Sequence, residues 1–138
     1  MWTYLNGEFI PKEEVRVSPF DRGFLFGDSV YEVIPSYNNK LFLFDEHLER
    51  LKNSLSITNI PIPDSLKDLH PLIMELLKKN QFSNQAIYIQ ITRGVDPVRS
   101  HVCASTTVPT LFMSSTKLEI NPYREGSHKK GLKVRLEE

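Results

Sequence analysis

Cysteine is nearly missing from this sequence: Cys103 is the single example in 138 residues. One thiol excludes an internal disulfide framework and fits a reducing compartment. A surplus of either charge is missing too, since Lys+Arg and Asp+Glu both number 17, which removes the electrostatic reason to expect nucleic acid or an anionic membrane as partner. Any bound anion must therefore be held by local side chains. No apolar run approaches the roughly 18 residues of a spanning helix. The opening Met1-Trp2-Thr3-Tyr4 has no basic-then-apolar character of a signal peptide, and the expected location is the cytoplasm. Internal repeats and low-complexity tracts are absent. The six glycines form neither a P-loop nor a dinucleotide fingerprint, and His47, His70 and His128 lack metal-ligand spacing with cysteine or carboxylate.

What is present reads as one domain with a real core, because a chain of this length buries roughly 70% of its unfolded surface. Residues 2–10 carry Asn6-Gly7 at their centre, the pair that supplies positive φ to a tight hairpin turn. A turn at Asp21-Arg22-Gly23 precedes a strand over 30–37, with Tyr31 and Val33 on one face and Val30, Glu32 and Ile34 on the other. Pro35 confines that strand to an edge or a bulge. Asn38-Asn39 predicts another turn, and the unbroken apolar run 41–44 predicts a strand covered on both sides. Asp45 is expected to cap a helix with Leu48, Leu51 and Leu55 inward and His47 and Arg50 together on a neighbouring face. A second helix starts near Asp64-Ser65 and turns Leu66, Leu69, Ile73, Leu76 and Leu77 inward, with Pro71 kinking it or moving its start later. Ile87, Ile89 and Ile91 alternate with polar positions as a strand, and 108–114 return as another. The fold class is α+β: a mixed or antiparallel sheet on two main helices.

Three groups of residues are equipped for chemistry. Arg50, one turn into a helix, offers a planar fork of donors suited to a phosphate, although from the residues alone an exposed Glu46–Arg50 pair at i,i+4 is the plainer account. Tyr31 follows Gly27-Asp28-Ser29 and has a phenol able to donate to a carboxylate, with Val33 beside it; a core tyrosine with its hydroxyl at the rim is the plainer account. Arg99 and His101 are two potential cations two positions apart in a loop, an arrangement that binds carboxylates or is simply solvated. Cys103 has no activating partner in sequence and is read as structural.

The segments YLNGEFIP at 4–11, DRGFLFGDSVYEV at 21–33, LFLFDEHLERL at 41–51 and TRGVDPVRSH at 92–101 together resemble successive blocks of the fold-type IV, or class IV, pyridoxal-phosphate-dependent aminotransferases. Within that family they are most similar to the D-amino acid aminotransferases. The resemblance implies that Arg50 grips the phosphate of pyridoxal 5'-phosphate, and that Tyr31, Val33, Arg99 and His101 receive the substrate, with Tyr31, Arg99 and His101 as a trap for its α-carboxylate. It also implies a homodimer whose trap is completed across the subunit interface. The implied reaction transfers an amino group from a D-amino acid to a 2-oxo acid. Ser29 stands where the family usually has glycine.

None of Lys117, Lys129, Lys130 or Lys133 matches the family's Schiff-base lysine, so the 138-residue chain is expected to be an inactive N-terminal portion. Its organisation is read as an N-terminal α+β domain over 1–120, a linker over 121–130 and the first strand of a further domain over 131–138. Two other readings stay open: another class IV enzyme, namely a branched-chain aminotransferase or an aminodeoxychorismate lyase, and a cofactor-free, self-associating fragment.

Overall fold

The computed structural model describes residues 1–104, 107–119 and 135. The expected linker and the strand after it fall outside these residues, apart from the exposed Arg135. Asn6 and Gly7 adopt φ of 47° and 108° and close a hairpin between β1 (Trp2–Leu5) and β2 (Glu8–Pro11). A short helix, α1 (Arg22–Phe26), leads through left-handed Gly27 into β3 (Ser29–Tyr37), and Asn38-Asn39 turns the chain into the two-residue β4 (Lys40–Leu41). Helix α2 (Phe44–Ile57) follows. A 3-10 turn over Asp64–Asp68 then feeds α3 (Leu69–Asn80), and β5 (Asn84–Thr92) and β6 (Thr110–Lys117) complete the fold.

The strands form one sheet in the order β2-β1-β6-β5-β3-β4, antiparallel at every pairing, which resolves the expected mixed or antiparallel sheet. Register explains the core. Val30 lies opposite Ile91 and Ile91 opposite Leu111; Glu32, Ile89 and Met113 form the next row, and Ile34, Ile87 and Ser115 the third. These rows are buried together with Leu51 and Leu55 of α2 and Leu69, Ile73, Leu76 and Leu77 of α3. The alternate face carries Tyr31, Val33 and Tyr88 at partial or full exposure.

Several expectations need correction. Of the run 41–44 only Leu41 joins a strand, pairing with β3 beside Lys40; Phe42 and Leu43 are half-exposed, and Leu43 takes φ of 48° to start α2. An apolar run without a period does not distinguish a strand from a helix entry. Asp45 sits in the first turn of α2, where its charge suits the positive helix end, and no side chain caps the N-terminus of that helix, whose N-cap position is Leu43. The Asp21 turn is the cap of α1: Asp21 accepts from the Gly23 N–H at 2.8 Å. Pro71 moves the α-helical start to Leu69, as its missing donor is harmless in a first turn. The strand expected over 108–114 runs instead from Thr110 to Lys117. Pro35 stays in register with Ala86, while its carbonyl accepts from Phe42 N–H on the other side. Its missing N–H thus faces the sheet margin, where no described strand pairs with residues 29–35.

Candidate functional site

A cleft of about 360 Å³ opens between that free margin of β3 and helix α2, lined by Tyr31, Glu32, Val33, Arg50 and Ser54. Strand alternation places Tyr31 and Val33 outward and Glu32 inward toward α2. Helical spacing brings His47 and Arg50 to the same carboxylate. Arg50 donates from Nε to Glu32 Oε1 at 2.6 Å and from Nη2 to Oε2 at 2.7 Å; His47 Nδ1 lies 2.8 Å from Oε2. An ionised carboxylate only accepts, so Nδ1 carries the proton, and the 3.4 Å approach of Arg50 Nη2 to that nitrogen is a contact rather than a hydrogen bond. The Arg50 hydrogen bonds, against opposing desolvation and with help from His47, hold Glu32 below its ordinary carboxylate pKa.

This geometry replaces the Glu46–Arg50 pair with a bond between elements. Glu32 is 3% exposed at its side chain and Arg50 66%. The guanidinium has five N–H groups, and engaging Nε and one side of Nη2 leaves the Nη1/Nη2 edge without an acceptor among the described residues. That edge fits one contact to a phosphate. Glu32 fixes the plane of the arginine while cancelling much of its charge, so a phosphate here would need further donors. No lysine lines the cleft.

Arg99 and His101 lie elsewhere, on Phe26. The Arg99 guanidinium sits 5.1 Å from the centre of that ring and the His101 ring 5.3 Å from it. Tyr31 instead stacks on Tyr88 with centroids 5.8 Å apart. Burial, with a smaller contribution from Tyr31, pushes the Tyr88 phenol up. The structure therefore brings Tyr31, Val33 and Arg50 together, and Arg99 with His101, as two separate groups within this chain.

Sequence reasoning passed over Arg22, Asp28, Arg93 and Asp96. Arg22 donates to Asp28 at 3.0 Å and to Asp96 at 2.7 Å; Arg93 donates to both oxygens of Asp28 and to the Thr58 and Asn59 carbonyls that end α2. Asp28 is held below its usual range first by the Arg93 hydrogen bond, opposed by burial and supported by Arg22. The available signal was a run of charges at turns, in which nothing marks pairs 65 and 74 positions apart. Among the described residues no cluster of His, Cys, Asp and Glu could hold a metal ion, and no helix is long and apolar enough to cross a membrane.

Residues 29–137 match the family described as Amino-transferase class IV. The D-alanine aminotransferase of Staphylococcus epidermidis is 40% identical over 122 residues, 88% of this chain and 43% of that protein. The chain thus spans less than half the length of such relatives. Among solved structures, the branched-chain amino acid aminotransferase from Escherichia coli superposes with a TM-score of 0.77 at 21% identity, covering 85% of this chain and 41% of that one. The 4-amino-4-deoxychorismate lyase of Pseudomonas aeruginosa gives 0.74 at 20% identity, covering 91% and 43%. At such identities the likeness is one of fold.

Proposed function

Because the chain belongs to the class IV aminotransferase family, we propose that it is the N-terminal portion of a D-amino acid aminotransferase, an enzyme passing an amino group from a D-amino acid to a 2-oxo acid. The supporting observation is that Arg50 and Tyr31 line one cleft. Arg50 would hold the phosphate of pyridoxal 5'-phosphate, whose conjugated ring supplies the electron sink of the reaction when bound. Tyr31 would donate its hydroxyl to the substrate carboxylate and Val33 would shape the wall beside it. Glu32, through two hydrogen bonds, would hold the plane of the exposed Arg50 guanidinium toward the cleft.

Arg99 and His101 would complete the carboxylate trap in the cleft of a neighbouring subunit, a role supported by their grouping away from Tyr31 in their own chain. A homodimer follows. The Schiff-base lysine would come from outside residues 1–138, so this chain alone is proposed to be inactive, and the single cysteine suits the cytoplasm. The branched-chain and lyase readings are favoured only by a shared fold, whereas the 40% identity lies with D-alanine aminotransferase.

The test is turnover of D-alanine against L-leucine and aminodeoxychorismate by the full-length protein that carries this segment. D-alanine is expected to be used best. Arg50→Ala is expected to weaken pyridoxal phosphate binding by about tenfold or more, the scale of a lost charge-assisted contact. Preference for L-leucine, or unchanged cofactor affinity, would refute the respective part.

A further inference from the structure

Arg22 is a buried guanidinium, 7% exposed at its side chain, beneath the loop that carries Arg99 and His101. Burying such a charge is tolerated only where it is paired and hydrogen-bonded. Asp28 and Asp96 supply two negative charges against the two positive ones of Arg22 and Arg93, so this buried group is neutral without help from the loop. Arg22 nevertheless makes two further contacts. Nη1 donates to the Ser100 carbonyl at 2.8 Å and Nη2 to the His101 carbonyl at 3.3 Å. Its guanidinium carbon also lies 4.8 Å from the centre of the Phe26 ring, against which Arg99 and His101 also rest. Backbone and side chains of 99–101 are thus gripped together, by a residue one turn from Phe26 on α1. Both Arg99 and His101 are exposed, and neither has an acidic partner among the described residues.

We propose that Arg22, acting with Phe26, is the positioning residue that mounts Arg99 and His101 for a substrate carboxylate, so that substrate affinity is set from beneath the loop. The inference rests on the carboxylate role proposed for that pair. It goes beyond that role in assigning the loop's geometry to two residues that never touch the substrate. Lysine keeps the charge at position 22 but, as a single ammonium group, cannot serve two carboxylates and two carbonyls in one plane. Leucine at position 26 keeps an apolar side chain and removes the aromatic face on which the Arg22 and Arg99 guanidinium groups and the His101 ring rest.

Two measurements test it, on Arg22→Lys and, should that variant fail to fold, on Phe26→Leu. In the 138-residue chain, amide hydrogen exchange over 99–104 is expected to accelerate about tenfold or more while β5 and β6 amides keep their protection, as for a local opening. In the full-length enzyme, KM for D-alanine is expected to rise by about tenfold with kcat and pyridoxal phosphate affinity little changed, the signature of lost substrate positioning rather than lost fold. Unchanged loop exchange in the variant that folds would overturn the mounting role itself. Faster exchange with an unchanged KM would overturn the carboxylate role of Arg99 and His101, and with it the functional half of the proposal.

Discussion

Asp21 is completely buried, with both carboxylate oxygens engaged: Oδ1 accepts from Gly23 N–H, and Oδ2 accepts from the Thr92 and Thr110 hydroxyls at 3.0 and 2.7 Å. One side chain thereby ties the start of α1 to the ends of two strands. Asp21→Ala removes the cap and leaves three donors unpaired, and is expected to lose about 1–3 kcal/mol in urea unfolding. Asp21→Asn should lose less, because the Thr hydroxyls can rotate to accept from the amide. The sequence signals a turn at this position but not its anchor, since the threonines are 71 and 89 residues away. Glu32 was closer to legible. A carboxylate between Val30 and Ile34 on an inward face demands a cation, and Arg50 and His47 share one helical face; what pattern could not reveal is that this face meets that strand.

Elements with a strong period were readable, because one buried face imposes one spacing. Ile87, Ile89 and Ile91 are buried as their alternation requires, and the leucine stripes of α2 and α3 face the sheet. Elements decided by tertiary contact were not. Phe44 opens α2 against His70, with ring centroids 5.0 Å apart, and α1 exists around the Asp21 anchor. The end of β5 shows the same dependence. Gly94 has φ of 105°, and a Cβ there would collide with the Val108 carbonyl. Gly7 has φ of 108° in open space. Gly94→Ala is therefore expected to cost more than the roughly 1–3 kcal/mol of backbone strain alone, and Gly7→Ala no more than that strain. Thermal unfolding of the two variants separates the steric contribution from the conformational one.

At the scale of the whole molecule, two ion clusters join helices to the sheet, and both contain a carboxylate depressed by arginine: Asp28 by Arg93 and then Arg22, Glu32 by Arg50 with His47. A carboxylate with a lower pKa folded than unfolded binds fewer protons in the fold. Its contribution is fully present above the unfolded value near about 4 and is lost as pH falls through the depressed folded value. Urea stability measured between pH 7 and pH 3 is therefore expected to fall steeply below about pH 4, and to fall less in Asp28→Asn/Glu32→Gln, which starts from a lower plateau. The margins of the sheet carry a different consequence. β2 lies at one rim and ends on Pro11; β3 leaves most of its length open at the other and carries Pro35 there, with the charged Glu32 turned inward. Prolines and inward charges make poor templates for strand addition, so fibrillar stacking through either rim is disfavoured. Among the described residues, the outer backbone of β3 beside the Arg50 cleft thus keeps no strand partner ahead of Ser36.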